Sequence, residues 1–469
     1  MSSETFDVVV IGSGPGGYVA AIRAQQLGLK TACVEKERLG GVCLNWGCIP
    51  SKALLKAAEH YRLVTEEISQ FGIRVEGVTH DFGKVVGRSR KIADQSERGV
   101  QFLFKKYGVT QVTGTATIDG RDDAGLGRVK VVNAAGEERT LVAKHVIVAT
   151  GARARTFPGM EPDGERILTY REAVARTTQP ASAVVLGSGA IGMEFSYFWS
   201  SFGTKVTLVE GAPRIAPLED AEISAEMAKA FKKMGVDVKT GSFCRSVVRE
   251  GEGVKVTLQD GTELTAEVCL LSVGIAPNTE GIGLESAGIV LGKGGFIQRD
   301  SSYRTTAPGF YAIGDVCGPP ALAHTAYAEA HVCVERIAGH HVPDVDYGNM
   351  PAATYCQPQI ASVGLTEEAA RAKGLELKVG RFPYSANGKA RGTGHTEGMV
   401  KVIIDAKRNE IVGAHIIGHD ASEQLANFVM ARGAEVTAQH FLHTVHAHPT
   451  MGEAMVEAVA VALDVCTHI

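Results

Sequence analysis

Two cysteines five residues apart, Cys43 and Cys48, lie in the segment Gly40-Gly41-Val42-Cys43-Leu44-Asn45-Trp46-Gly47-Cys48-Ile49-Pro50-Ser51-Lys52. A pair at this spacing can close a small ring if the backbone between them bends, and Asn45 and Gly47 tolerate unusual dihedrals. So short a ring removes little freedom from the unfolded chain, so a redox role explains the pair better than a structural one. The helix-forming run Ala53-Leu54-Leu55-Lys56-Ala57-Ala58 follows, and the dipole of its N-terminus would lower the pKa of the Cys48 thiol. Zinc is a poor reading, because no second ligand pair at metal spacing accompanies the first. Near the other end stand His440, His443, His446 and His448, then Pro449, Thr450 and Glu453. The spacing of these histidines is irregular and matching thiolate or carboxylate ligands are missing, so no metal site is expected.

A second group of residues could hold nucleotides. Gly12, Gly14 and Gly17 form G-x-G-x-x-G after the apolar run Phe6 to Ile11, and Gly187, Gly189 and Gly192 form it again after Ser182 to Leu186. Each copy opens a helix, Tyr18 to Leu29 in the first and as far as Phe202 in the second, followed by another apolar run that ends in an acid, Glu35 or Glu210. The same interval separates Gly12 from Glu35 and Gly187 from Glu210, so the chain holds two βαβ units in matching register. The first glycine of each permits the tight turn, the second lets the backbone approach a pyrophosphate, and the third lets helix and strand pack closely. The free N–H groups of the helix N-terminus favour an anion there. Glu35 and Glu210 can accept hydrogen bonds from ribose hydroxyls, and a carboxylate at 210 would repel a 2′-phosphate, so the second site should prefer NAD to NADP.

These elements define the expected organisation. A helical stretch runs to about Lys106, and alternating strands lead to His145 to Ala149, closed by Thr150-Gly151. Strands near Val254 to Leu258 and Val268 to Val273 lead to Gly274-Ile275-Ala276-Pro277-Asn278, and Phe310-Tyr311-Ala312-Ile313 ends in Gly314-Asp315. That run suits a return of the chain to the first nucleotide domain, with Asp315 near a ribitol or phosphate-proximal hydroxyl. From about Met350 the pattern becomes antiparallel strands, Lys401 to Ile404 and Ile411 to Ile417, with two helices. The expected fold is α/β, with two Rossmann-like nucleotide-binding domains and a C-terminal α+β dimerisation domain. Its divisions are 1–150, 151–280, a returning segment 281–349, and 350–469.

Composition agrees with a globular chain of this kind. In 469 residues, 45% hydrophobic and 21% charged, there is enough apolar surface to offset the entropy of ordering, which excludes disorder, collagen and coiled coil. A net charge of −4 gives no electrostatic case for nucleic acid or an anionic membrane. No apolar run is long enough to span a bilayer, and Met1-Ser2-Ser3-Glu4-Thr5-Phe6-Asp7 has neither the basic nor the apolar region of a cleaved leader, so a cytoplasmic protein is expected. Cys33, Cys244, Cys269 and Cys333 stand alone in apolar surroundings and are expected to be buried thiols.

The cysteine segment, the paired fingerprints, Tyr311-Ala312-Ile313-Gly314-Asp315-Val316 and the tail together resemble the FAD-dependent pyridine nucleotide-disulfide oxidoreductases. Within that family, Cys43 to Lys52 is most similar to the dihydrolipoamide dehydrogenases, and the likeness spans essentially the whole chain. The resemblance implies FAD at the first fingerprint and NAD at the second, with Gly151, Gly274, Gly314 and Asp315 among the cofactor-binding residues. It implies that Cys43 is the interchange thiol, that Cys48 faces the flavin, that Lys52 lies beside the flavin ring and that Glu194 lies near the nicotinamide. His448 matches the tail motif His-Pro-Thr with Glu453 five residues on, which makes it the acid/base whose tautomer Glu453 fixes. A dithiol substrate with thiol pKa well above 7 needs such a base, and imidazole is the side chain suited to that range. By resemblance the histidine reaches the cysteines of the other subunit, which implies a homodimer. Lipoyl domains of 2-oxo acid dehydrogenase complexes or of the glycine-cleavage system would be its macromolecular partners.

Some positions depart from the family pattern. Ile275 stands where Arg is usual before Pro-Asn, which removes a cation near the nucleotide, and Tyr355-Cys356-Gln357-Pro358-Gln359 replaces Tyr-Thr-x-Pro-Glu, with Cys356 expected to be a packed thiol. Mercuric reductases would end in a vicinal cysteine pair, whereas this chain ends with the single Cys466. Glutathione reductases would carry cations where Glu210 stands. A relative acting on another disulfide is therefore the alternative, not the expectation.

Overall fold

The computed structural model describes residues 4–469; the first three residues, part of the amino end read above as lacking a leader, lie outside the described residues. The chain forms two compact units, one of residues 4–53, 86–155 and 274–345, the other of 54–85, 156–273 and 346–469.

The first unit is built on a seven-stranded sheet. Strand β1 (Glu4–Ile11) is apolar throughout its second half because both of its faces are covered. It pairs in parallel with β2 (Thr31–Glu35) at Val8↔Thr31 and with Glu138–Val148 at Val9↔Val146. Phe310–Ala312 adds in parallel to the far side of Glu138–Val148. Between β1 and β2 runs α1 (Pro15–Gln26), which begins at the fingerprint itself with Pro15 in its first turn, three residues before the expected Tyr18. Its buried face is all small, Gly16, Gly17, Ala20, Ala21 and Ala24. That face lets the helix lie close to the sheet and to the helix Ala323–Ile337. A Cβ on Gly16 would sit 3.3 Å from Ile313 Cδ1 and 3.4 Å from Ala326 Cβ.

The expected single helical stretch is three helices: α2 (Gly41–Asn45), α3 (Cys48–Arg62) and α4 (Phe82–Tyr107). Residues 63–81 interrupt it with a π turn, a 3-10 turn and the left-handed Gly72 and Gly77, the last two in conformations no helix continues through.

In the second unit a five-stranded sheet of order Asp237–Lys239, Lys205–Val209, Ser182–Leu186, Val268–Leu271, Ile167–Leu168 repeats the parallel pattern. The helix Ala190–Ser201 follows its fingerprint. The strand expected to reach Val273 stops at Leu271, where Ser272 N donates to Leu186 O and the chain turns away. Residues 346–469 contribute a five-stranded antiparallel sheet, in which Met399–Asp405 and Glu410–Gly418 extend past the expected bounds on both sides. The tail holds more than the expected two helices, because Glu367–Ala372, Gly388–Thr393, Ala426–Gly433, Ala438–His443 and Glu453–Ala462 all form, most of them only one or two turns long. The helix Glu453–Ala462 lies directly on the sheet at Gly380, where any Cβ would collide with Ala458 O.

Candidate active site

Cys43 lies in α2 and Cys48 is the first residue of α3, and they form a disulfide with 4.6 Å between their Cα atoms. The helix thus starts at Cys48 itself, five residues earlier than the expected run, and places that sulfur at its positive end. The bend between the cysteines is not made by unusual dihedrals at Asn45 and Gly47. Helix α2 ends at Trp46 (φ −138°), whose N–H donates to Val42 O at 2.8 Å. Left-handed glycines lie upstream instead, at Gly40 (φ +93°) and Gly41 (φ +60°). A Cβ on Gly41 would meet Gly14 Cα at 2.6 Å, so glycine there lets the redox segment press against the fingerprint. Asn45 is buried and ties the segment down, its Nδ2 donating to Leu39 O at 2.9 Å and Gly41 O at 3.0 Å. Lys52 follows Cys48 by one turn of α3.

The two fingerprints share more than their glycines. Gly12 (φ +97°) and Gly187 (φ +93°) make the turns, and a Cβ on Gly17 or Gly192 would collide with the carbonyl oxygen of Gly12 or Gly187. At Gly14 and Gly189, by contrast, a Cβ would meet nothing within 4 Å, so open space lies before each helix N-terminus, as a pyrophosphate requires. Glu35 Oε2 accepts from Ser13 N at 2.9 Å and Ser13 Oγ at 2.7 Å, while Oε1 accepts from Glu37 N at 2.9 Å. Glu210 repeats the pattern with Ser188 N at 2.8 Å, Ser188 Oγ at 2.6 Å and Ala212 N at 2.8 Å. Each serine hydroxyl also accepts from a later backbone N–H, Gly40 at 3.3 Å in the first copy and Ala216 at 3.2 Å in the second. Sequence reasoning passed over both serines, although Gly-Ser-Gly in both copies was the signal. A carboxylate has about four acceptor sites, so each glutamate keeps capacity for a ribose hydroxyl.

Gly151 (φ +68°) has open space at its Cβ position, and its carbonyl accepts from Asn278 N at 3.0 Å. Gly274 (φ +107°) is likewise open, and its carbonyl accepts from Arg155 N at 3.0 Å. Beside Ile275, which lacks the family's usual cation, Arg155 Nε donates to Ile275 O at 3.0 Å and Arg153 Nη1 to Pro277 O at 2.8 Å. Two cations thus flank the segment, Arg153 from the neighbouring strand Ala152–Ala154 and Arg155 from just past its end. Gly314 (φ +74°) donates its N–H to Glu329 Oε2 at 2.6 Å, and the other Glu329 oxygen takes a 2.6 Å bond from Arg299. Burial, with Glu329 adding repulsion, pushes the Asp315 carboxyl up to about 6.

In the second unit Glu194 is 6% exposed on the helix Ala190–Ser201, and its Oε1 accepts from Tyr355 N at 3.1 Å. His448 Nδ1 lies 2.8 Å from Glu453 Oε1, while Glu453 Oε2 accepts from Thr450 N at 2.8 Å. Burial pushes the Glu453 carboxyl up, but the Thr450 N–H and His448 outweigh it and hold the group below its usual range. The carboxylate on Nδ1 leaves Nε2 as the free nitrogen of an exposed ring. His440 and His443 are exposed and His446 is half-buried, none of them bonded to this pair, with His446 Nδ1 on Thr444 O at 2.8 Å. Among the described residues no group of three or more potential ligands is arranged to hold a metal ion. Cys33, Cys269, Cys333 and Cys356 are buried, whereas Cys244 is only half-buried because the edge strand Cys244–Glu250 leaves one side open.

Comparison with known proteins adds to this geometry. Residues 6–330 match the family model "Pyridine nucleotide-disulphide oxidoreductase", and residues 350–459 match that family's dimerisation domain. The chain belongs to this family. It is 46% identical to a dihydrolipoyl dehydrogenase of Rhizobium etli over 97% of this chain and 98% of that one. It is 43% identical to that of Zymomonas mobilis over 99% and 100%. Among solved structures, LpdA of Mycobacterium tuberculosis superposes with TM-score 0.91 at 28% identity, covering 97% of this chain and 99% of that chain. The flavoprotein disulfide reductase RclA of Escherichia coli, at 24% identity and TM-score 0.87, shares the fold. As a member of the family the chain is an oxidoreductase of mixed α/β fold. Among the described residues no helix is long and apolar enough to cross a membrane.

Proposed function

We propose that this chain oxidises dihydrolipoyl groups to lipoyl groups and delivers the electrons to NAD. The observation that carries the reading is the Cys43–Cys48 disulfide at the N-terminus of α3, in a chain 43–46% identical to dihydrolipoyl dehydrogenases. The cofactors are FAD and NAD. FAD is held at Gly12, Gly14, Gly17, Glu35, Lys52, Gly151, Gly314 and Asp315, and NAD at Gly187, Gly189, Gly192, Glu194, Glu210 and Gly274. The open space before both helix N-termini and the spare acceptor sites of both glutamates support this assignment. Bound there, FAD supplies a two-electron acceptor for the dithiol and NAD the final hydride acceptor.

The protein's own groups carry the first half-reaction. His448, with Glu453 on Nδ1, takes the proton of one substrate thiol at Nε2. The resulting thiolate attacks Cys43 Sγ; the Cys43–Cys48 bond breaks and Cys48 leaves as a thiolate, favoured by the N-terminus of α3. The second substrate thiol then attacks the substrate sulfur of the mixed disulfide, closing the lipoyl ring and releasing Cys43 as a thiol. The substrate loses two electrons, the protein disulfide gains them, and the remaining proton stays on His448. By the family pattern His448 serves the disulfide of the partner subunit, so the working form is a homodimer. Its partners are lipoyl domains of 2-oxo acid dehydrogenase complexes or of the glycine-cleavage system, met in the cytoplasm, and nucleic acid has no part. The division into 1–150, 151–280, 281–349 and 350–469 belongs to the same proposal.

The test is an anaerobic titration of the FAD-loaded protein with dihydrolipoamide, followed by absorbance, then addition of nicotinamide nucleotide. A long-wavelength band at two electrons per subunit, discharged by NAD and not by NADP, is the expected result. Reduction by NADH without any response to dihydrolipoamide would move the substrate to another disulfide.

A further inference from the structure

Three consecutive residues of α4 donate to three carbonyls of the segment that carries the cysteines. Arg88 Nη1 donates to Ala53 O at 3.4 Å, Ser89 Oγ to Pro50 O at 2.9 Å and Arg90 Nη2 to Asn45 O at 2.5 Å. Successive residues of a helix face directions about 100° apart, so short, buried Ser89 meets the segment directly while the long arginines on either side reach round to it. Ser89 is fully buried. The other terminal nitrogen of Arg90, Nη1, is buried with no hydrogen-bond partner among the described residues, and so is Asn45 Oδ1. Burial and the nearby Arg38 push the Arg90 guanidinium below its ordinary value while Asp94 pulls it up, and that ordinary value is so high that the group stays cationic at neutral pH.

The half-reaction proposed above makes no use of this cation, yet its position bears on that chemistry. Asn45 is two residues from Cys43 and three from Cys48, so chain geometry keeps its carbonyl within about 11 Å of either cysteine's backbone. Reduction turns an uncharged disulfide into a pair carrying a thiolate. The guanidinium bonded to that carbonyl is a fixed positive charge, partly shielded from water, and favours the charged side of the equilibrium.

We propose that Arg90 is a positioning residue that sets the reduction potential of the Cys43–Cys48 pair, holding the backbone at Asn45 and favouring the thiolate of the reduced form. The proposal rests on the dithiol oxidation proposed above and adds to it the residue that tunes the poise of the pair.

Dithiothreitol is a reductant that leaves the substrate question aside. Its two thiols close to a cyclic disulfide as the Cys43–Cys48 bond breaks; two electrons enter the protein, one cysteine keeps a proton, and the other proton goes to solvent. The FAD-loaded protein is equilibrated in dithiothreitol buffers of graded oxidised-to-reduced ratio, alkylated, and weighed for the two thiols. Arg90→Met is expected to shift the equilibrium about tenfold toward the disulfide, which is about 30 mV for two electrons. Arg90→Lys should recover most of the shift. Ser89→Ala removes the donor to Pro50 without removing charge and should keep the wild-type midpoint. If Arg90→Met does not accumulate as folded, FAD-loaded protein, Arg90→Gln carries the same expectation. A wild-type midpoint in the neutral variant overturns the proposal, and so does an equal shift in Ser89→Ala, which would assign the effect to packing. A wild-type protein reduced by dithiothreitol but not by dihydrolipoamide would sink the substrate reading and leave the Arg90 result standing.

Discussion

At the scale of single residues, the acid/base assignment rests on one short contact. His448 Nδ1 is occupied by Glu453, and Glu453 is itself fixed by the Thr450 N–H, so the ring presents one nitrogen in one tautomer. His448→Gln is therefore expected to lower dihydrolipoamide turnover by about 10²- to 10⁴-fold, the usual worth of a positioned acid/base, while bound FAD stays at the wild-type ratio. Steady-state rates and the flavin-to-protein absorbance ratio check this together; turnover within a few-fold of wild type would remove His448 from the role. The residues of this pair were legible because they are five apart in one motif. The serines of the two fingerprints were not, since their meaning lies in a carboxylate more than twenty residues on, and a Gly-Ser-Gly run is an ordinary turn until that carboxylate is seen to close on it.

At the scale of elements, the helix Ala221–Lys233 meets the C-terminal sheet through buried charge. Ser362, His415, Lys401 and Arg381 form a cross-strand row over four neighbouring strands. Lys401, 2% exposed in its side chain, holds Asp220 at 2.9 Å, Glu222 at 2.9 Å and Glu367 at 2.8 Å, and Arg381 adds contacts of 2.5 Å to Glu222 and 2.9 Å to Glu367. Asp220 is also the cap of the helix. Burial is the largest single influence on the Asp220 and Glu367 carboxyls and raises them, but it is outweighed by Lys401 together with the Glu367 and Glu222 N–H groups at Asp220, and together with Arg371 and Arg381 at Glu367; for Glu222 the Arg381 bond is the largest influence, and all three end below their ordinary values. Burial lowers Lys401, and its three carboxylates raise it further, so it ends above its own ordinary value.

A carboxyl lowered by folding contributes its full stability above its unfolded value and loses it as pH falls through the folded value. A lysine raised by folding contributes fully below its unfolded value and loses it as pH rises through the folded one. The network's contribution should therefore be flat between ordinary carboxylate and lysine values, 3.8 to 4.5 and 10.5, and decline outside them. Lys401→Met strands buried Asp220 and should cost about 3–5 kcal/mol in urea unfolding at pH 7. That cost should shrink as pH falls through the lowered folded values of these carboxyls, and a cost unchanged by acid would contradict the account. Strand periodicity correctly placed Lys401 in a strand. It could not say that this face of the strand is covered by a helix nearly 180 residues earlier, and for the same reason the contacts of α4 with the redox segment left no local trace.

At the scale of the whole molecule, the match of residues 350–459 to a dimerisation domain and the proposed sharing of His448 between subunits make one claim testable by dilution. Sedimentation should give twice the chain mass. As the dimer dissociates, dihydrolipoamide turnover should fall with the dimer fraction, whereas NADH-driven reduction of ferricyanide, which needs only the nucleotide sites of one chain, should persist. Parallel loss of both would mean that the subunits do not divide the work in this way. The broad plan of paired nucleotide folds and a different tail could be read because each fingerprint announces itself within about twenty-five residues. The number of tail helices could not, since segments of one or two turns carry too little periodicity to stand out from loops.

The duplicated contact between serine and glutamate has a further bearing. In both copies the glutamate is already drawn back onto its own fingerprint by two donors from one serine and a third from the residue two places on. The side chain surrenders its rotational freedom during folding, so an arriving ribose need not freeze it, and the loss of entropy on binding is smaller at both sites. Under the assignment proposed above, two clasps made alike meet the adenosine of FAD and that of NAD alike. The choice between a flavin and a nicotinamide therefore cannot lie in the clasp. What sets the two copies apart is the segment each serine hydroxyl anchors next: in one copy Gly40, the threshold of the cysteines, and in the other Ala216, in a loop that carries no thiol at all.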